Sequence, residues 1–260
     1  MKPAARAVPS RFAAPENLES ADGWALFLDL DGTLAPIMDR PSDVVADARR
    51  NALLAQLEKV FGGRLAVISG RSIADVDRIL ASGVKAVAGV HGLERRTGHG
   101  NYHYREENLS LGDARAALKA LADTQPGLLL ENKSGSVALH YRGVPGAAAA
   151  IQELGQRLAG INGLVLQNGN MVMELRLPGP NKGDAIRSFL SEPPFIGSSP
   201  IFIGDDLTDE NGFAAVEEMG GIGILVGPPR ETRASRRLAD VGAVFDWLNS
   251  LSQKAHTWGA

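Results

Sequence analysis

The chain has 260 residues, of which 44% are hydrophobic and 5% aromatic, and it carries a net charge of −3. That length holds one large domain or two smaller ones, with a core resting mainly on Ala, Val, Leu and Ile. The lack of cysteine excludes disulfides, thiolate metal sites and cysteine nucleophiles, and the slight acidity argues against a general nucleic-acid binder.

Residues 1–20 are expected to form a flexible tail. Lys2, Arg6 and Arg11 stand there among Ala and Pro, without the continuous apolar segment of a secretory signal. No apolar run reaches membrane-spanning length. The expectation is a soluble, cytoplasmic monomer with no membrane or nucleic-acid partner.

The run Trp24-Ala25-Leu26-Phe27-Leu28 leads into Asp29-Leu30-Asp31-Gly32-Thr33. This predicts a buried strand over residues 25–30 that ends in two carboxylates and a glycine turn. Open α/β sheets bind ligands at that end of their strands. Two aspartates so close repel each other unless a cation or a shared proton intervenes, and Mg²⁺, a hard ion with oxygen ligands, would resolve the conflict. Asp-Gly is also a common turn pair, so the rest of the chain must decide.

Leu53, Leu54 and Leu57 predict a helix over residues 46–60. A second strand over 65–68, a helix over 73–80 and a third strand over 84–90 follow. This βαβαβ order predicts an α/β fold with a parallel sheet covered by helices. Residues 91–110 are then polar and rich in His, Arg and Glu. After them come a helix near 113–122, apolar segments at 127–131 and 136–141, a helix near 147–158, and strands at 164–167 and 171–177. That order suggests an inserted α+β unit with an antiparallel sheet, closed by Pro178-Gly179-Pro180. The first pattern then resumes with a helix over 182–190, a buried strand over 200–203, a helix near 209–219 and a strand over 222–226. The expected division is a discontinuous core of residues 21–98 and 178–260, with a cap of residues 99–177.

Three further motifs fall at strand ends or helix starts facing the same edge. In Ile68-Ser69-Gly70-Arg71-Ser72 a hydroxyl and backbone amides suit a phosphate oxygen, although Ser72 also reads as a helix N-cap. In Pro180-Asn181-Lys182-Gly183-Asp184 a lysine opens a helix against the dipole. An anion nearby would offset that, and a solvated lysine is the alternative. In Ile203-Gly204-Asp205-Asp206-Leu207-Thr208-Asp209-Glu210 the adjacent Asp205 and Asp206 precede a helix and are placed as metal ligands or their supports. The combined inventory of nucleophile, proton shuttle, phosphate hydroxyl, lysine and metal carboxylates fits phosphoryl transfer through an aspartyl-phosphate.

The set Asp29-Leu30-Asp31-Gly32-Thr33, Ser69, Lys182 and Gly204-Asp205-Asp206 resembles the haloacid dehalogenase superfamily of phosphatases. The resemblance implies a Rossmann-like core with a small inserted α+β cap of the C2B type. It implies that Asp29 attacks phosphorus and that Asp31 shuttles the proton. It also implies that Mg²⁺ sits on the Asp29 and Asp205 side chains and the Asp31 carbonyl, that Ser69 and Lys182 hold phosphoryl oxygens, and that Thr33, Asp206 and Asp209 act as supports.

The cap segment Glu131-Asn132-Lys133-Ser134-Gly135-Ser136-Val137-Ala138-Leu139-His140-Tyr141-Arg142 is similar to one in trehalose-6-phosphate phosphatases. So are Gly89-Val90-His91-Gly92-Leu93-Glu94, Ile68-Ser69-Gly70-Arg71 and Met173-Glu174-Leu175-Arg176. This likeness implies hydrolysis of trehalose 6-phosphate. Glu131, Lys133 and Glu174 would hold the sugar, and Asp29, Asp31, Gly32, Arg71, His91 and Gly92 would complete the substrate site. A local ion pair is the alternative reading of Glu131 and Lys133, and packing within the cap is that of His140. The core motifs alone also suit a sucrose phosphate or glycosyl-glycerate phosphate. A non-catalytic sugar-phosphate module would not need Asp29, Asp31 and Lys182 together. Cap closure is expected to hinge near Gly92–Gly98 and Pro178–Pro180.

Overall fold

In this computed structural model, residues 13–16, 18–81, 83–97, 100, 102–103, 109–133 and 135–258 are described. In chain order the regular elements begin with β1 (Trp24–Leu28), α1 (Ala48–Val60), β2 (Leu65–Ile68), α2 (Ile73–Leu80) and β3 (Ala86–Gly89). Next come β4 (Glu94–Arg96), β5 (Tyr102–His103), α3 (Leu109–Thr124), β6 (Leu129–Lys133), β7 (Ser136–His140), α4 (Ala148–Asn162), β8 (Val165–Gly169) and β9 (Val172–Arg176). The chain then forms α5 (Lys182–Leu190), β10 (Ser199–Gly204), α6 (Glu210–Glu218), β11 (Ile222–Val226), β12 (Arg236–Leu238) and α7 (Val241–Trp258).

The larger sheet has the order β12-β11-β10-β1-β2-β3-β4-β5, parallel from β12 to β3. Its central strands are unbroken apolar runs because helices cover both faces. Side-chain alternation along β1 divides the core. Leu26 and Leu28 face α1, α2 and α7, with Leu54, Leu57, Val76 and Leu248 among their neighbours. Phe27 faces α5 and α6 and stacks on Phe195 with ring centroids 5.6 Å apart.

Three features depart from the sequence reading. The core sheet does not end at residue 98: β4 and β5 extend it antiparallel. These edge strands are polar because Arg96 pairs with Asp77 and Arg95 with Glu192, so no apolar run marked them. Residues 94–96 therefore belong to the sheet. At the N-terminus, Pro15 and Leu18 are buried, so ordered packing begins within the segment expected as a tail. Beyond residue 226, β12 completes the sheet and α7 packs on α1, two elements that the sequence reading did not reach.

The insert is a four-stranded antiparallel sheet, order β6-β7-β9-β8. Val137, Leu139, Met173 and Leu175 face α3 and α4 and form a separate apolar core. The register places Glu131, Ala138, Glu174 and Gln167 side by side on the other face. That polar face looks onto the core. Among the described residues, no helix is long and apolar enough to cross a membrane.

Candidate active site

Strand succession reverses beside β1, with β2 on one side and β10 on the other. Such a switch point leaves a crevice beyond the strand ends. Asp29 follows β1, Ser69 to Arg71 follow β2, Asp205 and Asp206 follow β10, and Lys182 opens α5 beside them. The four separated motifs therefore meet.

Lys182 links two of them. It is buried, and its Nζ donates to Asp29 Oδ1 at 2.8 Å and to Asp209 Oδ1 at 2.5 Å. Burial alone would lower the pKa of this ammonium, but Asp209 and Asp29 outweigh it and hold it above the usual lysine range. A capping box between Asn181 and Asp184 secures the helix start that the cation would otherwise weaken. Burial pushes the Asp29 carboxyl up to about 8; Lys182 opposes the rise, while the charges of Asp209 and Asp31 add to it. Asp205 is pushed up to about 9 by burial and then by the charges of Asp29, Asp209 and Asp206.

Oxygens of Asp29, Asp205 and Asp209 lie within 4.8 Å of one another. Asp209 is fully engaged, since its Oδ1 takes Lys182 and its Oδ2 accepts the amides of Asp205 and Asp206, each at 2.9 Å. Asp205 Oδ1, in contrast, is buried without a hydrogen-bond partner. An uncompensated carboxylate oxygen amid other acids fits a hard divalent cation. Asp29 and Asp205 are the side chains able to hold it, and Asp209 braces them. Gly32 makes the close approach possible. Its φ is +81°, and a Cβ there would overlap the Asp205 carboxylate.

Asp31 is held at both oxygens. Arg71 Nε donates to Oδ2 and Nη2 to Oδ1, both at 2.7 Å, and Nη1 reaches the Pro41 carbonyl at 2.9 Å. Ser69 is buried, and its Oγ accepts from the Arg71 amide at 3.1 Å. It is not among the residues lining the cleft. Thr33 is fully buried beneath the turn. Ser72 caps α2 as its spacing suggests, and Glu94 adds a second cap by accepting from the Ile73 amide at 2.8 Å.

A cleft of ≈ 160 Å³ separates these groups from the insert, and Glu131, His140, Arg142 and Glu174 form its far wall. His140 Nε2 lies 2.8 Å from Glu131 Oε2, so His140 faces the cleft instead of packing inside the cap. The Lys133 side chain lies outside the described residues. His91 lines the cleft and reaches across to the insert, with Nε2 at 3.1 Å from Gln167 Nε2 and 3.5 Å from Glu174 Oε2. Gly92 does not line the cleft; its φ of +109° and missing side chain admit the carbonyl of Asn181. Arg142 Nη1 donates to the Met38 carbonyl at 2.5 Å, a second contact between insert and core.

Two contributors escaped the sequence reading. Arg230, in the turn after β11, donates to the Asp206 carbonyl at 2.8 Å and pairs with Glu210, pinning the acidic loop from behind. A lone arginine in a proline-rich turn gave no signal. Gln167 belonged to no motif, and only its register opposite Glu174 brings it to the site.

The model of the trehalose-phosphatase family matches residues 27–241. Trehalose-6-phosphate phosphatase of Escherichia coli is 40% identical over 239 residues, which cover 91% of this chain and 90% of that one. A probable trehalose-phosphate phosphatase of Sinorhizobium fredii is 39% identical, covering 80% and 79%. A crystal structure described as a trehalose-6-phosphate phosphatase related protein superposes with a TM-score of 0.75 at 30% identity, covering 90% of this chain and 99% of that one. Other solved structures of this fold include phosphatases of the HAD superfamily. With its motifs assembled in one cleft and the match running over most of its length, the chain belongs to the trehalose-phosphatase family.

Proposed function

We propose that the protein hydrolyses trehalose 6-phosphate to trehalose and phosphate through an aspartyl-phosphate at Asp29, with Mg²⁺ as cofactor. One observation carries the reading. A carboxylate clamped by a buried lysine stands at the core end of the cleft, and the carboxylates Glu131 and Glu174 stand at the cap end. The first suits a phosphoryl group and the second a polyhydroxylated leaving group. A site built to hydrogen-bond hydroxyls discriminates strongly against analogues that lack them.

Lys182 holds Asp29 Oδ1, and a carboxylate oxygen of Asp29 is the nucleophile. It forms a bond to phosphorus as the bond between phosphorus and the sugar oxygen breaks. Asp31 delivers a proton to that oxygen, then takes one from the water that hydrolyses the aspartyl-phosphate. Both Asp31 oxygens accept from Arg71 in the resting site, so one of these contacts opens when Asp31 carries the proton. When bound by Asp29, Asp205 and the Asp31 carbonyl, Mg²⁺ supplies positive charge beside the transferring phosphoryl group. The cap docked through Arg142 and His91 excludes bulk water. Its movement pivots at Pro178–Pro180, where the chain returns from the insert to the core.

Phosphate release from a panel of sugar phosphates, with and without Mg²⁺, tests the reading. Trehalose 6-phosphate is expected to be the preferred substrate, with activity lost on chelation. A preference for sucrose phosphate would overturn the substrate, and activity retained by Asp29→Asn would overturn the covalent step.

A further inference from the structure

His91 stands in the core with φ +57°, a left-handed conformation uncommon for a residue with a side chain. Its ring lies over Gly70, where a Cβ would come within 2.7 Å of Nε2. The backbone and that glycine together wedge the imidazole toward the cap. Two cap side chains meet the same ring nitrogen: Gln167 Nε2 at 3.1 Å and Glu174 Oε2 at 3.5 Å. They are register partners on β8 and β9. One nitrogen cannot accept from an amide and donate to a carboxylate at once. The shorter contact has the Gln167 carboxamide donating, which leaves the imidazole proton on Nδ1. Glu174 lies beyond the usual range of an N–H···O bond.

We propose that Gln167 is a positioning residue for Glu174: its amide occupies His91 Nε2 and keeps the imidazole from competing for the carboxylate that meets the glycosyl hydroxyls. This rests on the sugar-binding reading of Glu174 given above. Without the amide, Nε2 becomes the donor and draws the carboxylate onto the ring. The core would then hold Glu174 away from the ligand instead of holding the cap in register around it.

Gln167→Met keeps the side-chain length and removes the donor, and Gln167→Leu serves if its thermal melting shows a folding defect. The KM for trehalose 6-phosphate is expected to rise about tenfold, the equivalent of one hydrogen bond to a charged group. The KM for p-nitrophenyl phosphate, which has no glycosyl unit, is expected to rise less than about twofold, and the same limit applies to kcat. The ¹⁵N shifts of the His91 ring are expected to report Nδ1–H in the wild type and Nε2–H in the variant. In a His91→Phe background the KM effect of Gln167→Met is expected to vanish, because residues acting through one contact do not add. An unchanged KM, an equal rise for both substrates, an unaltered tautomer or additive effects would each overturn the proposal. A wild type inactive on trehalose 6-phosphate would overturn the substrate reading first, while the ring shifts would still decide whether Gln167 sets the tautomer.

Discussion

Replacing Lys182 by methionine removes a buried cation that the aspartates at residues 29 and 209 share. Methionine fills much of the same space, so the cost is electrostatic. Removing one partner of a buried pair destabilises by about 3–5 kcal/mol, because the remaining charge stays desolvated. The size depends on pH. Asp29 already carries a folded pKa of about 8, above its ordinary 3.8, and Lys182 is what holds it down. Without Lys182 it rises further. A carboxyl raised in the folded state keeps its stability below the unfolded pKa and loses it as pH rises through the folded one. The Asp29 share of the Lys182→Met deficit is therefore expected to be small at about pH 5, where Asp29 is neutral in both proteins, and to grow toward the ~3–5 kcal/mol of a broken buried pair only as pH rises past 8, reaching about 2 kcal/mol at about pH 9.5. Urea unfolding followed by circular dichroism at the two pH values, without divalent ions, measures it. The kcat is expected to fall at least about 10²-fold, as for other groups that stabilise developing charge. A deficit that does not grow between these two pH values would refute the shared-cation account.

The same sign applies to the metal-free wild type: Asp29 and Asp205, raised to about 8 and about 9, should make its melting temperature fall as pH rises from about 5 to about 8. Mg²⁺ is expected to restore it, with a larger shift at the higher pH, and a Mg²⁺ effect independent of pH in scanning calorimetry would count against the acidic cradle. Gly32→Ala places a methyl group in the Asp205 carboxylate and strains a φ of +81°. A loss of about 1–3 kcal/mol is expected, with a raised Mg²⁺ requirement, and an unchanged Mg²⁺ titration of activity would show that Asp205 does not need that approach.

The parallel core was legible because its buried strands are unbroken apolar runs, each ending in polar residues at the ligand-binding edge. Asp29, Lys182 and Asp205 announced themselves by breaking local rules: close like charges and a cation at a helix start. The structure resolves both violations by bringing them together. The edge strands β4 and β5 left no apolar trace, because Arg95 and Arg96 form ion pairs with distant residues. Arg230 and Gln167 act through chain segments whose nearness is set by topology and register alone. The Asp31–Arg71 pair lay between the two cases: both residues stood in motifs, but their two-point contact required β1 and β2 to be neighbours.

The position of β1 has a consequence for how the chain is made. During vectorial synthesis β1 can gain β2 early, but its other edge stays open until Ser199–Gly204 has emerged. All of the insert is synthesised in that interval, and its four strands pair only with one another. It can therefore mature while the strand leading to Asp29 still exposes unpaired backbone, the kind of edge that recruits stray chains. Lys182 and Asp209 arrive on either side of the strand that closes this edge. The growing polypeptide thus brings Lys182 and Asp209 to Asp29 and closes the open edge of β1 in the same late step.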